Sequence, residues 1–453
     1  MPTQTSRSPQ QSAPSEKYGA DIHKLATRQS PLKRIGKFWH QLGPGLTTGA
    51  ADDDPSGIAT YSQAGSQFGF QMLWLALFTF PLMAIVQEMC ARIGLVTGRG
   101  LAANIRINYP RYVLYACTVL LFAANVFNIG ADLGIMVRAT QLIVPGFPFG
   151  LLLVGFTVLS LLLQVFVSYA RYAKLLKWLA LVLLAYVITA FIIPNVNWGD
   201  VVKHTLIPNV QFSKTQILLI CATLGTTISP YLFFWQTSQE VEQEITEGKM
   251  TVSSRQHDAS PVHIRQMRVD NWVGMFFSNL VMFFIILTGG AVLHAAGLTN
   301  ITSAADAAAA LEPLAGQGAF ILFTVGIVGI GMLAIPVLAG SAAYAIAESF
   351  RWREGLYRKL KGAYAFYGVI AIAMGVGFFL NFVGLNPIKA LVASAVLNGM
   401  IAPVMMYFIV RLSSQRSIMG SYANSPWVRR IGWFTTIAMG VVAVASIGAL
   451  IVT

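Results

Sequence analysis

Chemistry-bearing residues cluster at one point of an otherwise apolar segment, in the stretch "TTGAADDDPSGIATYSQAG". Three adjacent aspartates, Asp52, Asp53 and Asp54, stand directly before Pro55. Carboxylates are the ligands that hard divalent cations prefer. Each charge at the centre of a bilayer costs roughly 2.5–3.5 kcal/mol on insertion scales, so charges kept there predict a functional site. The residue types predict that this site attracts a cation.

The composition predicts the element that must hold these aspartates, a membrane-spanning helix. Of 453 residues, 55% are hydrophobic and 11% are charged, whereas soluble domains carry about 25% charged residues. Eleven apolar runs are long enough to span a bilayer: 43–67, 70–95, 110–141, 148–170, 174–194, 214–239, 267–296, 316–349, 363–382, 386–411 and 429–452. The third and eighth are too long for perpendicular helices, which predicts tilt or extension beyond the bilayer. The predicted fold class is an all-α polytopic membrane protein with about 11 transmembrane helices.

Basic residues predict the orientation in the membrane. With a cytoplasmic N-terminus, 27 of the 31 Lys and Arg fall on the tail and on the cytoplasmic loops, as the positive-inside rule requires. The exceptions are Arg138, Lys203, Lys214 and Lys389. Eleven spans then place the C-terminus outside the cytoplasm. The net charge of +13 is explained by this topology and by attraction to anionic lipid, so the partner is the lipid bilayer and no nucleic acid is expected.

A second interruption, "GTTISPY", lies in the sixth span and contains Ser229 and Pro230. Proline removes a backbone donor and clashes with the preceding turn, so each of the two helices is expected to unwind just before its proline. Because spans one and six are five helices apart, the halves 1–5 and 6–10 run with opposite topology. Broken segments at matching positions of inverted halves indicate the central site of a transporter. Two ordinary proline kinks are the alternative, but kinks alone do not explain the aspartates.

The same reasoning predicts four parts of the chain. Residues 1–40 form a cytoplasmic tail with a basic segment on the membrane surface, 41–194 the first five-helix repeat, 195–411 the inverted repeat, and 412–453 an additional eleventh helix.

Several stretches resemble one known family. "GPGLTTGAADDDPSGIATYSQAG" is similar to the first helix of the natural-resistance-associated macrophage protein family, and "QEMCARIGLVTGRGLAANIR" is similar to its second helix. "GTTISPY" takes the place of the family's Met-Pro-His segment, and "GMLAIPVLAGSAAYAIAESF" resembles its eighth helix. The resemblance implies the inverted-repeat, leucine-transporter type of fold and transport of divalent metal ions. It covers about residues 43–411.

The departures from the family pattern concern the ion. The family's aspartate ligand is kept as Asp54, but its asparagine ligand is Gly57 and its methionine ligand is Ser229. A neighbouring histidine is Tyr231, and an alanine with a liganding carbonyl is Thr226. Thioether sulfur favours transition metals, whereas carboxylate, hydroxyl and carbonyl oxygens suit Mg²⁺, which tends to keep several waters. The pattern resembles the family's magnesium-transporting branch. The metal site implied by the resemblance comprises Asp54, Ala51, Gly57, Thr226, Ser229 and Asn398.

Further residues are expected around that site: Asp52, Asp53, Thr227, Tyr231 and Asp132. Three successive residues cannot share one helix face, so Asp54 is the expected ligand and the other two aspartates are vestibule charges that concentrate cations. Alternatively, one of these is protonated or is capped by backbone donors. Asn398 is either a ligand or a helix–helix contact, and Asn128 is expected to be a packing contact.

Proton coupling is expected to be weak or absent. The family's helix three carries Asp-Leu-Ala-Glu as part of a proton route, and here the residues are Asp132, Leu133, Gly134 and Ile135. The glutamate is missing, as is the helix-six histidine. Asp132 is then either a hydrogen-bond partner within the bundle or a proton carrier.

The sequence as a whole predicts a bacterial-type inner-membrane importer of Mg²⁺, with Mn²⁺ as a second substrate, that works by alternating access. Neither an enzymatic activity nor a cofactor is expected, and the protein is expected to be a monomer. Three alternatives remain: a proton-coupled Mn²⁺/Fe²⁺ importer, a cation channel, and a sodium-coupled solute transporter on the same fold.

Overall fold

The computed structural model describes residues 43–167, 181–194 and 196–451. All regular secondary structure in these residues is helical. The predicted cytoplasmic tail, residues 1–40, lies outside the described residues, and so do residues 174–180 of the fifth predicted span.

Helices follow one another along the whole described chain. Those of five or more residues are α1 (Pro44–Asp52), α2 (Pro55–Phe68), α3 (Trp74–Thr97), α4 (Leu101–Asn108), α5 (Arg111–Ile143), α6 (Phe149–Phe166), α7 (Leu184–Ile192), α8 (Trp198–Leu206), α9 (Lys214–Thr227), α10 (Pro230–Thr246), α11 (Val252–Asp258), α12 (Pro261–Thr288), α13 (Ala304–Ala308), α14 (Ala319–Phe350), α15 (Tyr364–Leu380), α16 (Pro387–Ser414) and α17 (Pro426–Ile451). A π-helical turn, Gly289–His294, continues α12.

The spans agree with the hydropathy prediction. Within the described residues, eight helical segments are long and apolar enough to cross a membrane. The broken pair α1–α2 and the 17-residue helix α15 correspond to the first and ninth predicted spans, and the nine-residue helix α7 lies in the described part of the fifth. Helix α5 has 33 residues, which at 1.5 Å per residue is about 50 Å, longer than the roughly 30 Å hydrocarbon core. Helix α14 has 32 residues, so the excess length predicted for the third and eighth spans is confirmed.

Some helical structure was not predicted, because hydropathy detects apolar runs rather than helices. Helices α4, α8, α11 and α13 lie between spans and are short. Helix α10 continues to Thr246, seven residues past the predicted end, through the polar sequence "EVEQEIT". These residues include strong helix formers such as Glu and Gln, so the helix continues where the apolar run stops.

Helix packing places both broken spans inside the bundle. Helix α5 contacts α14, α15 and α16, α3 contacts α10 and α12, α1 lies against α12, and α9 lies against α16. A Cβ atom at Gly225 would lie 2.1 Å from the Ala395 carbonyl oxygen and 2.3 Å from the Gly399 nitrogen. Only glycine allows α9 and α16 to approach this closely, and the approach lies two residues before the end of α9.

Candidate cation site

Both helix breaks fall directly before a proline. Helix α1 ends at Asp52 and α2 begins at Pro55, whereas α9 ends at Thr227 and α10 begins at Pro230. Proline fits the first position of a helix, because the first N–H groups of a helix have no intrahelical partner. The prediction that each helix unwinds just before its proline is confirmed.

The two breaks contact each other through buried tyrosines. The Tyr231 hydroxyl donates to the Ala51 carbonyl oxygen at 3.1 Å. The Tyr61 hydroxyl accepts from Thr226 Oγ1 at 3.1 Å and lies 3.4 Å from Thr227 Oγ1. All five residues are at most 2% exposed. The Ala51 carbonyl and the two threonine hydroxyls therefore lie in one buried polar region.

Asp54 is the most fully hydrogen-bonded of the three aspartates. It is the N-cap of α2, and its Oδ1 accepts from the Gly57 backbone N–H at 2.7 Å and from Ser56 Oγ at 2.6 Å. Its Oδ2 accepts from Asn128 Nδ2 at 2.8 Å. A carboxylate oxygen has further lone pairs beyond these bonds, so Asp54 is held in a fixed orientation and keeps acceptor capacity.

Asn128 was expected to be a packing contact, and it does join helices, but through hydrogen bonds that include the carboxylate of Asp54. Besides its bond to Asp54, its Oδ1 accepts from Ser394 Oγ at 2.6 Å. Asn128 thus joins the carboxylate at the first break to helix α16. The available signal was the spacing of Asn128 and Asp132, two polar residues one turn apart on the apolar helix α5.

Asp52 and Asp53 face a different neighbour. Ser278 Oγ of α12 donates to Asp52 Oδ2 at 2.5 Å and lies 3.3 Å from Asp53 Oδ1. Asp52 Oδ1 is buried and has no hydrogen-bond partner in the described part of the chain. Both aspartates are buried, at 0% and 4% exposure, rather than lining an open vestibule. Their role in concentrating cations stays a prediction.

Ser229 hydrogen-bonds to backbone carbonyls at the second break. Its Oγ lies 2.7 Å from the Gly225 carbonyl oxygen and 2.6 Å from the Thr226 carbonyl oxygen, as donor. A hydroxyl has one hydrogen, so it satisfies one of these carbonyls at a time and keeps its own lone pairs. The Thr226 carbonyl, which the resemblance implies as a ligand, is therefore next to a hydroxyl that competes with an ion for it.

Asn398 and Asp132 carry buried oxygens that have no hydrogen-bond donor among the described residues. Asn398 Oδ1 and both carboxylate oxygens of Asp132 accept no hydrogen bond from the described residues. Asn398 lies one turn after Ser394 on α16, and Asp132 lies one turn after Asn128 on α5. Buried acceptors without donors are costly, and a cation or a water molecule would relieve that cost.

The donor atoms at the breaks are mainly hard oxygens. Carboxylates, hydroxyls, backbone carbonyls and an amide oxygen are present, and no three His, Cys, Asp or Glu side chains converge anywhere in residues 43–167, 181–194 and 196–451. One sulfur lies nearby, because the Met282 thioether is 3.7 Å from Thr227 Oγ1. The sequence reasoning did not identify Met282, which comes from α12 and is 55 residues from Thr227.

A second polar cluster lies where α3, α10 and α14 end, around a cavity of about 300 Å³. Glu348 accepts from Ser238 Oγ at 3.1 Å and from the Ala103 N–H at 2.8 Å, which ties α10 to α14 and α4. Burial, together with repulsion from Glu348, holds the pKa of the loop residue Glu354 well above its usual range. The arginines that line this cavity are Arg99, Arg106, Arg255, Arg353 and Arg358.

Comparison with known proteins agrees with this architecture. The family described as natural resistance-associated macrophage protein-like matches residues 45–449. The chain is 27% identical over 409 residues to a protein of Aeromonas hydrophila named divalent metal cation transporter MntH, covering 86% of this chain and 91% of that relative. The solved Eremococcus coleocola manganese transporter, in complex with an aromatic bis-isothiourea compound, has a TM-score of 0.73 at 19% identity and covers 93% and 89% of the two chains.

A more distant structure extends the likeness in fold. The inward-facing conformation of Mhp1 has a TM-score of 0.52 at 14% identity and covers 90% of each chain. The predicted fold class, the inverted-repeat leucine-transporter type with broken first and sixth spans, is confirmed.

Proposed function

This chain belongs to the natural-resistance-associated macrophage protein family, and from that premise we propose that it carries divalent cations across the membrane by alternating access. The observation that carries the proposal is Asp54, a buried carboxylate at the break of the first span. That break contacts the break of the sixth span through the Tyr231 hydroxyl and the Ala51 carbonyl. Relatives named as divalent metal cation transporters support the substrate class. No bond is made or broken in this function.

Mg²⁺ is the proposed main substrate. The side chains and carbonyls of Asp54, Thr226, Ser229 and Asn398 offer oxygen only, and Mg²⁺ takes oxygen ligands and dehydrates reluctantly. Gly57 supplies no side-chain ligand, and a Cβ there would already lie 3.3 Å from a ring carbon of Tyr61 and 3.5 Å from Asp54 Oδ1. A single carboxylate in such a site suits an ion that keeps part of its water shell.

Mn²⁺ is the proposed second substrate, and an observation supports it. The Met282 sulfur lies beside Thr227, and thioether ligands favour transition metals. Names of relatives also point to manganese. A proton-coupled Mn²⁺ importer is therefore the second candidate function, and Met282 is the residue that would distinguish the two ions in it.

Transport is proposed to proceed without proton coupling. Ile135 and Tyr231 stand where the resemblance would place a glutamate and a histidine. An interior-negative potential supplies about 2.3 kcal/mol per charge per 100 mV, roughly 4.6 kcal/mol for a divalent ion, so inward movement needs no proton gradient.

The proposed orientation has the N-terminus in the cytoplasm. Arginines from three predicted cytoplasmic loops, Arg99, Arg255 and Arg353 among them, line one cavity at the same end of the bundle. That arrangement supports the positive-inside assignment. A monomer and an inner-membrane location belong to the same proposal, as do the repeat limits 41–194 and 195–411 and the eleventh helix in 412–453.

The test is ion uptake into liposomes that contain the purified protein and an enclosed pH dye. Mg²⁺ and Mn²⁺ are assayed separately, for the wild type and for Asp54→Asn, which keeps the size of the side chain and its capping oxygen. Asp200→Asn is the matched control, because Asp200 is an exposed carboxylate on α8.

Saturable Mg²⁺ uptake that is lost in Asp54→Asn, kept in Asp200→Asn and free of acidification is the expected result. Mn²⁺ uptake with acidification and no Mg²⁺ uptake would contradict the proposal. In that case Met282→Leu should lower the affinity for Mn²⁺, which would establish the second candidate function.

A further inference from the structure

A lateral groove separates the outer parts of α9 and α16, away from the helix breaks. Its volume is about 570 Å³, within the roughly 300–1,000 Å³ of pockets that hold organic ligands. Its wall is mainly apolar and includes Leu218, Ile388, Val392, Ala393, Val396 and Leu450. Leu450 is 50% exposed and Ala393 is exposed, so the groove opens to the surface of the bundle.

Two lysines stand at the polar end of this groove. Lys214 is the first residue of α9 and Lys389 the third residue of α16, and both line the groove with exposed side chains. Only four of the 31 Lys and Arg lie outside the predicted cytoplasmic clusters, and these are two of the four. The positive-inside rule disfavours Lys and Arg on the predicted extracytoplasmic side. Two lysines in one groove there therefore suggest that they bind an anionic ligand.

We propose that the groove binds one anionic phospholipid, with an acyl chain along the apolar wall and the phosphate between Lys214 and Lys389. Charge complementarity selects this occupant from among the lipids. The N-termini of α9 and α16, each with a partial positive charge, also lie beside these lysines. Gln67 Oε1, which lines the groove and accepts no hydrogen bond from the described residues, would accept from a headgroup hydroxyl.

The position of the groove allows the lipid to act on the second helix break, at the end of α9. Helices α9 and α16 are in close backbone contact at Gly225 and Gly399, and the groove lies between their N-terminal parts, which carry Lys214 and Lys389. An acyl chain held between them fills the space that α9 would have to cross to tilt toward α16. Bound lipid therefore restrains the half-helix that carries Thr226 and Thr227.

Lipid binding can be measured without reference to the transported ion. Detergent-purified full-length protein is titrated with phosphatidylglycerol or with phosphatidylcholine, and the protein–lipid adducts are counted by native mass spectrometry. The variants are the double Lys214→Gln/Lys389→Gln and the groove-filling Ala393→Trp. Lys203→Gln is the matched charge control, since Lys203 is an exposed extracytoplasmic lysine outside the groove. Val404→Trp, at an exposed position of α16, is the matched bulk control.

The first phosphatidylglycerol adduct is expected to form at least tenfold more readily than the phosphatidylcholine adduct. Both the double lysine variant and Ala393→Trp should weaken it by at least tenfold, with thermal unfolding unchanged. Equal binding of the two lipids, or equal loss in Lys203→Gln and in the double variant, would overturn the proposal. An unchanged adduct in Ala393→Trp would overturn the assignment of the acyl chain to the groove.

Discussion

Substitution of Gly225 by alanine tests how the broken sixth span is positioned. The added Cβ would lie 2.1 Å from the Ala395 carbonyl oxygen and 2.3 Å from the Gly399 nitrogen, whereas ordinary contact begins at 3.4 Å. The deficit of about 1.3 Å cannot be removed by rotating a side chain, because both atoms are backbone. Helices α9 and α16 must therefore move apart.

Overpacking of this kind costs about 1–3 kcal/mol, which is roughly a 5- to 150-fold change in the unfolding equilibrium. The movement also displaces the Gly225 carbonyl, which accepts from Ser229 at 2.7 Å. We therefore expect a lower unfolding midpoint in detergent together with weaker Mg²⁺ uptake.

Gly368→Ala is the control for this substitution, because a Cβ at Gly368 in α15 would meet nothing within 4 Å. Alanine is the better helix former by up to about 1 kcal/mol, so this variant should be as stable as the wild type or more so. Thermal unfolding of the three proteins is measured side by side. Equal midpoints for Gly225→Ala and Gly368→Ala would refute the close approach of α9 to α16.

Three further predictions concern the ion and the cytoplasmic end. Ser229→Met should raise the affinity for Mn²⁺ relative to Mg²⁺ in competition uptake, because it adds a thioether; Ser229→Ala, which removes the hydroxyl oxygen and frees the two carbonyls without adding sulfur, should change both ions alike. Gly57→Asn should lower Mg²⁺ uptake, because its Cβ would already lie 3.5 Å from Asp54 Oδ1 and its amide would take the place of water bound to the ion; an unchanged uptake would argue against a hydrated ion. Burial raises the pKa of Glu354 in the folded state, so its stabilising contribution is present at acid pH and is lost as the pH rises through that raised value. The unfolding midpoint should therefore fall less with rising pH in Glu354→Gln than in the wild type, and identical slopes would show that Glu354 does not titrate in this way.

The helices and their breaks could be predicted from the sequence because the membrane restricts the options. A span needs about 20 apolar residues, and backbone groups inside lipid must be satisfied within the helix. Pro55 and Pro230 therefore marked the breaks to within a residue. Helix ends outside the membrane, such as Thr246 of α10, are not restricted in this way and were missed.

The side-chain partners of the site could not be predicted to the same extent. Asn128 contacts Asp54 across 74 residues of sequence, and Ser278 contacts Asp52 across 226. Such pairs depend on how helices rotate against one another, which hydropathy does not determine. The same limit applies to Met282, whose sulfur reaches Thr227 from a neighbouring helix.

The most direct test of the central claim is the affinity of the purified protein for Mg²⁺ and for Mn²⁺, measured by isothermal titration calorimetry. The account predicts one site that binds both ions within roughly tenfold of each other, about 1.4 kcal/mol. It also predicts that Asp54→Asn loses both ions and that Asp200→Asn keeps both. Tight binding of Mn²⁺ with no detectable binding of Mg²⁺, or Mg²⁺ binding that survives in Asp54→Asn, would contradict it.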